Sequence, residues 1–314
     1  MSATSPPPVL PAEGHRPGGD YPLFPTPGPP LRIARQGLRL QVLLYVLTAI
    51  TTFAAGVVGW EPMILGVDAD VAAGLEEHGR RGLAYMLAVL AVLSAHEAGH
   101  FIAAAIHGIP ATLPFFLPVP VLLTGTLGAV IGMDGGRAGR RQLFDIALAG
   151  PVAGLVVALP CLAVGMMQAV PAEQSLFALP LAGKWMLAAL RPDIPVGGAI
   201  EPTALFMAGW VGLLVTGLNM MPISQLDGGH IIYALFGDRS VWLARGVLLA
   251  AMTLIIVLGR TNWVLMVVLV TLLGVDHPPS YDEGPPPGPW RTTLGLMSLL
   301  IPLLLFMPEP LLLD

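Results

Sequence analysis

The chain has 314 residues, 55% of them hydrophobic and only 11% charged, with a net charge of −5 and a mean hydropathy of +0.76. An ordinary soluble domain carries about 25% charged residues, so this composition excludes that class and indicates a polytopic membrane protein. No basic stretch is dense enough to follow a phosphate backbone, so no nucleic acid is expected as a partner.

The first thirty residues hold ten prolines, among them Pro6-Pro7-Pro8, and no apolar core of their own. Residues 1–31 therefore read as a disordered proline-rich tail on the cytoplasmic side. No signal-peptide core or basic transit peptide precedes Arg32, and the first apolar run is expected to serve as an uncleaved insertion signal. Apolar runs long enough to span or nearly span a bilayer lie at about 40–60, 82–107, 143–170, 203–221, 241–258, 261–275 and 291–307. None alternates with period two, so helices and not a barrel are expected to cross.

The expected fold is an all-α polytopic membrane protein with about six to seven transmembrane helices. Residues 32–275 form its membrane domain, 276–290 a proline-rich loop, and 291–314 a C-terminal transmembrane segment. Arg32, Arg35 and Arg39 precede the first run, whereas Glu61, Asp68, Asp70, Glu76 and Glu77 follow it. That bias places the N-terminus in the cytoplasm, and alternating spans then put ten of the fifteen basic residues on the same side. Leu176 to Leu190 is apolar but interrupted by Pro180 and Lys184. A crossing there would invert the fourth span, so the stretch is expected to be re-entrant, interfacial or paired with another crossing. Cys161 has no partner for a disulfide and sits in an apolar run, where packing is its expected role.

The second run carries His96-Glu97-Ala98-Gly99-His100. On a helix, histidines at i and i+4 share one face and can reach one zinc, and Glu97 is placed to take a proton from water beside it. A pair of core histidines is the plainer reading. It is disfavoured because each ionisable side chain at bilayer depth costs about 2.5–3.5 kcal/mol, and three stand here within five residues. The third ligand is sought among the few acids at similar depth. Asp227, in Leu226-Asp227-Gly228 after the breaker Pro222, is the best candidate. Three protein ligands leave a fourth position open, as a catalytic zinc requires.

Between the second and third runs, the segment from Leu113 to Asp134 is rich in Pro and Gly and contains Gly125-Thr126-Leu127-Gly128. Irregular backbone at membrane depth is tolerated only against protein or water, so this stretch is expected to line the catalytic cavity, a plain cytoplasmic connector being the alternative. Asp145 is read as a cap of the third span, with Arg140 and Arg141 anchoring it in the headgroups. His107 is expected at the interface, His230 in a supporting or packing role, and His277 in a structural one.

The two motifs, H-E-x-x-H at 96–100 and N-x-x-P-x-x-x-L-D-G at Asn219, Pro222, Leu226, Asp227 and Gly228, resemble those of the site-2 protease family of intramembrane zinc metalloproteases, peptidase family M50. Gly125 to Ile131, Ala149-Gly150-Pro151 and Asp276-His277-Pro278-Pro279 are similar to the branch of the chloroplast EGY-like proteases and their bacterial relatives. The resemblance covers about residues 82 to 280. It implies zinc held by His96, His100 and Asp227, with Glu97 as general base. It further implies a re-entrant hairpin through Gly125, Thr126 and Gly128 whose strand pairs with an unwound substrate. Asn219 is implied to hydrogen-bond the substrate backbone, a helix-capping role being the alternative.

The implied activity is zinc-dependent endopeptidase cleavage within or near transmembrane segments of membrane proteins, in the lipid bilayer of a bacterial inner membrane, with an upstream site-1-type protease as a candidate partner. About thirty residues separate the third and fourth runs, too few for a PDZ module, and no room for a CBS domain is expected after the last run. The alternatives are a zinc-binding membrane transporter or an inactive protease-like scaffold.

Overall fold

The computed structural model describes residues 38–60, 71–133, 137–195, 197–223, 225–258, 286–305, 307 and 310–312. The N-terminal tail, the apolar run at 261–275 and the Asp276-His277-Pro278-Pro279 segment lie outside the described residues. In chain order the elements are α1 (Leu38–Val57), α2 (Val71–Ile106), β1 (Phe115–Pro118), β2 (Thr126–Val130), α3 (Arg140–Gln168), β3 (Pro171–Ala172), α4 (Leu181–Leu190), β4 (Ala199–Ile200), α5 (Ala204–Asn219), α6 (Asp227–Phe236), α7 (Ser240–Leu258), α8 (Pro289–Ser298) and α9 (Ile301–Leu305). The fold is thus mostly helical. It also holds two small antiparallel pairs: β1 with β2, in the segment for which a hairpin is implied, and β3 with β4, for which none is.

Three helical stretches are long and apolar enough to cross a membrane: Leu38–Val57, His78–Ile106 and Arg140–Gln168. In the first of them burial is largely inverted relative to a soluble protein. On α1, Gln41, Thr48 and Thr52 are buried, whereas Leu40, Leu43 and Ile50 face outward, Ile50 at 58% exposure. Such an arrangement is stable only where the surroundings are apolar, because the polar side chains then need partners inside the protein. Gln41 Nε2 accordingly donates to Leu113 O at 2.8 Å, and Thr52 Oγ1 to Thr48 O at 2.7 Å.

The core is formed by α2, α3 and α5, with α1 packed on α2. Association of helices in lipid relies on close backbone approach, for which small residues are needed. Gly99 of α2 supplies it against α3, where a Cβ would strike the carbonyl of Ala149. Gly209 of α5 does the same against α3, its Cβ direction leading to Leu162 N at 2.5 Å.

Helix C-termini are closed by arginines, whose guanidinium satisfies carbonyls that have no partner in the helix and opposes the negative end of the dipole. Arg81 donates to Gly56 O and Val57 O at the end of α1, both at 2.8 Å. Arg140 donates to Ala234 O and Leu235 O at the end of α6, at 2.8 and 2.7 Å. Arg191 donates to Met166 O and Ala169 O at the end of α3, at 3.0 and 2.6 Å. Its pairing with Asp193 also holds that exposed carboxyl below the ordinary carboxylate range. Arg140 is therefore engaged with α6, a role different from the expected headgroup anchor.

Two further expectations need correction. Asp145 does not cap α3, whose first turn is closed by Gln142 Oε1 accepting from Gly139 N at 3.0 Å. Asp145 lies one turn further in, between Arg291 of α8 and His107 beyond the end of α2. The last apolar run is not one continuous helix: α8 stops at Ser298 and α9 starts at Ile301. Pro302 explains the break, since its ring would clash with the carbonyl of Ser298 and it has no N–H to offer there. As for the stretch left open between α3 and α5, α4 has ten residues and is about 15 Å long, half of what a crossing needs.

Candidate metal centre

Four nitrogen and oxygen atoms from two separate parts of the chain converge beneath α3. His96 Nε2 and His100 Nε2, one turn apart on α2, are 3.2 Å from each other. Asp227 presents Oδ2 to His96 Nε2 and Oδ1 to His100 Nε2, both at 3.3 Å. One ligand atom from each of the three residues can be chosen so that all lie within 4.8 Å of one another, the arrangement needed to hold a metal ion. His96, Glu97 and His100 are buried, Glu97 at 4% exposure.

The path of the chain explains how Asp227 arrives there. Helix α5 ends at Asn219, and a tight turn follows in which Met221 N donates to Leu218 O and Ile223 N to Met221 O. Pro222 cannot continue a helix. Helix α6 then opens at Asp227, in its first turn, where the exposed N–H groups favour a carboxylate. Gly228 is required by this reversal: a Cβ there would run into the carbonyl of Met220. The Asp-Gly pair thus couples a ligand type to the backbone freedom that lets it return to α2.

Helix α3 contributes without offering a ligand. The carbonyl of Ile146 lies 2.8 Å from His100 Nδ1. A carbonyl can only accept, so Nδ1 carries the proton and a neutral ring has its lone pair on Nε2, facing Asp227 and His96. Gly150 makes room for that ring, since a Cβ would collide with His100 Nε2; Gly154, one turn on, faces His96, with its Cβ position 3.0 Å from Nδ1. Sequence reasoning missed these contributions. The spacing of small residues in Gly150-Pro151-Val152-Ala153-Gly154, at i and i+4 on one face, was the available signal.

Zinc bonded to nitrogen and oxygen at about 2.0–2.1 Å in a tetrahedron separates neighbouring ligand atoms by about 3.3 Å. The observed separations are 3.2 and 3.3 Å. Asp227 Oδ2 is buried and makes no hydrogen bond among the described residues, although His96 Nε2 is near it. Two imidazole nitrogens, that of His100 with its lone pair facing inward, beside a buried carboxylate oxygen that has no hydrogen bond make the donor set of a divalent ion, and zinc fits it.

Asn219 lies at the rim. Its Nδ2 is 3.3 Å from His96 Nε2, so the side chain turns toward the histidine and not into a cap of its own helix. Val215, one turn earlier on the same face of α5, lies against Gly128 of β2. The hairpin therefore passes over the face of α5 that bears Asn219. Gly125 and Gly128 have φ of 73° and 112°, a region that favours glycine, and Thr126 is buried, its hydroxyl donating to Leu117 O and accepting from Gly128 N, both at 3.0 Å. In register, Phe115 stands opposite Val130, Phe116 opposite Ala129 and Pro118 opposite Thr126. His230 lies in α6 outside the three-residue group, and His277 is outside the described residues.

A helical membrane protein with a buried group of two histidines and an aspartate, flanked by a glutamate, belongs to the class of intramembrane metalloproteins. The model of peptidase family M50 matches residues 84–258, more than half of the chain, and the chain belongs to that family. It is 29% identical over 236 residues to probable zinc metalloprotease EGY2, chloroplastic, of Arabidopsis thaliana, an alignment covering 73% of this chain and 42% of that protein. It is 30% identical over 233 residues to probable zinc metalloprotease EGY1, chloroplastic, of Arabidopsis thaliana, covering 70% and 42%. To the Oryza sativa subsp. japonica EGY1 it is 29% identical over 236 residues, covering 70% and 39%. The chain spans about two fifths of the length of these curated relatives. No solved structure matches it.

Proposed function

We propose that this protein is an intramembrane zinc metalloendopeptidase that cleaves peptide bonds within or near transmembrane segments of other membrane proteins. The observation that carries the reading is the convergence of His96, His100 and Asp227 at ligand spacing beside the buried Glu97. Relatives named as probable zinc metalloproteases support the choice of metal. When bound, zinc supplies Lewis acidity, making water acidic enough to lose a proton near neutral pH and polarising the scissile carbonyl.

The chain's own groups do the rest. His96, His100 and Asp227 hold the ion, with the Ile146 carbonyl keeping His100 in the ligating tautomer. Glu97 takes the proton from the attacking water and delivers it to the departing amine nitrogen, so the same carboxyl serves both steps. Asn219 hydrogen-bonds the substrate backbone at the rim.

A transmembrane substrate must lose its helix before its peptide bond can be attacked. The β1–β2 hairpin offers the alternative hydrogen bonds: β2 pairs only with β1 among the described residues, leaving an edge for an extended substrate. In this reading Gly125, Thr126 and Gly128 shape that edge, and the hairpin is re-entrant. The domain plan is a proline-rich tail at 1–31, the protease domain at 32–275, a loop at 276–290 and a further membrane segment from 291, with six to seven spans in all. The protein resides in a bacterial inner membrane with its N-terminus cytoplasmic, and cleavage follows action of a site-1-type protease.

The test is purified full-length protein with transmembrane peptides, comparing wild type with Glu97→Gln. Glu97→Gln is expected to retain zinc and lose cleavage; equal cleavage by both proteins would reject Glu97 as the base.

A further inference from the structure

At the other end of α5, about 20 Å along the helix axis from Asn219, lies a cavity of about 730 Å³. It is formed between the turn after β3, helix α4, the turn before β4 and the start of α5, and its walls include Leu176, Leu179, Leu187, Ile194, Ile200 and Phe206. Volume and apolar lining are those of a ligand site. Neither the metal centre nor the hairpin contributes to it.

One wall is a short length of extended backbone, and it already holds a partner. Residues 310–312 run antiparallel to 176–178: Ala178 N donates to Pro310 O at 3.0 Å and Leu312 N to Leu176 O at 2.9 Å, with Phe177 opposite Leu311. Leu312 projects into the cavity and is still 47% exposed. Among the described residues two main-chain bonds hold this segment, so it is bound as a separate peptide strand would be, by backbone pairing with a side chain placed in an adjoining pocket. The wall itself is rigid. Phe177 packs edge-on against Trp210 at 5.3 Å, and Trp210 Nε1 donates to Ala178 O at 2.7 Å, which ties the receiving strand to α5.

Charge argues for a peptide over an anionic lipid. Lys184 and Glu173 both line the cavity, so its formal charges balance and give an anionic headgroup no net attraction. An extended peptide also offers a carbonyl for Ala178 N and an N–H for Leu176 O at strand spacing, a pairing that a lipid headgroup does not reproduce. We propose that this cavity is a peptide-docking site that takes the extended, apolar juxtamembrane flank of a membrane-protein substrate in register with Leu176–Ala178, and that the chain's own residues 310–312 occupy it at rest. That the incoming strand belongs to a substrate rests on the proteolytic reading above; the docking does not. The intramolecular segment competes at high effective concentration, so a substrate flank enters only when that segment gives way.

The test uses full-length Glu97→Gln protein in detergent, so that nothing depends on cleavage. The probe is a fluorescent peptide of residues 306–314, followed by anisotropy. Adding Leu312→Asp, which unseats the internal strand, is expected to tighten peptide binding at least tenfold; Leu312→Ser serves the same purpose if the aspartate variant does not purify as a single species. Ala188→Trp, an exposed change that fills the cavity, is expected to reverse the gain. A peptide methylated at the amide nitrogen of its Leu312 is expected to bind at least tenfold more weakly, because the bond to Leu176 O is lost. Equal binding of methylated and unmodified peptides would mean nonspecific apolar uptake, as for a lipid or detergent, and would overturn the proposal, as would absence of binding to both Leu312 variants.

Discussion

Two histidine–aspartate groups draw their histidines from α2 and the turn that follows it but their carboxylates from different helices, α3 and α6, and their difference shows what a metal-capable site is. At the end of α2, His107 Nε2 stands 3.1 Å from Asp145 Oδ2, and Arg291 donates to both oxygens of that carboxylate, Nε to Oδ1 at 2.8 Å and a terminal nitrogen to Oδ2 at 2.9 Å. Every acceptor there has a donor. Two to three turns back, His96, His100 and Asp227 have the same residue types at almost the same spacing, but among the described residues no arginine or lysine joins them, and one buried carboxylate oxygen lacks a hydrogen bond. The first group is a satisfied ion pair that ties α8 to α3. The second has the electrostatics of a ligand set, because none of the described residues supplies the positive charge that would complete it.

Substitutions in the two groups should therefore separate cleanly. The largest effect is expected for Asp227→Ala, which removes one of three ligands: zinc content falls toward zero and peptide cleavage falls by at least about 10³-fold, measured by metal analysis and a cleavage assay on the same sample. Next is Glu97→Gln, for which zinc remains near one per chain while the cleavage rate falls about 10²–10⁴-fold, the range of a lost general base. Retained cleavage with retained zinc would break the assignment.

Gly150→Val probes the helix that offers no ligand. Its side chain would occupy the place of the His100 ring, and zinc affinity is expected to fall about 10–100-fold, as for a displaced supporting contact, read by competition with a chelator. In the other group, Arg291→Gln should cost about 1–3 kcal/mol, since a partly buried carboxylate loses two charge-assisted bonds. His107→Gln should cost less than about 1 kcal/mol, because Arg291 remains. Both are read from thermal or denaturant unfolding in detergent, and neither should change zinc content. A loss of zinc in Arg291→Gln would blur the distinction between the two groups.

What could be read in the chain and what could not follows from how local each signal is. The i, i+4 histidines lie on one helix, so periodicity alone places them on one face of α2. Asp227 was reachable because few acids stand at that depth and Pro222 marks a reversal. The contribution of α3 was hidden for a physical reason: any residue has a carbonyl, and nothing in the identity of Ile146 says that its oxygen faces His100. For the β1–β2 pair the resemblance implies a hairpin through Gly125, Thr126 and Gly128, but composition alone reads as a Pro- and Gly-rich loop and does not give the register. Hydropathy also passes over Pro302, because a proline between Ile301 and Leu303 in an apolar run barely lowers the mean although it interrupts the helix before it. The cavity beside α4 is assembled from turns and helix ends between residues 173 and 206 together with Leu312 near the C-terminus, and no pattern of spacing foretells it.

The most direct measurement of the central claim is X-ray absorption at the zinc edge on wild-type protein and Asp227→Ala purified side by side. Wild type is expected to hold one zinc per chain with nitrogen and oxygen ligands at about 2.0–2.1 Å and the scattering signature of two imidazoles, and Asp227→Ala to lose the metal. An unchanged zinc content and an unchanged spectrum in Asp227→Ala would contradict a ligand set shared between α2 and the start of α6.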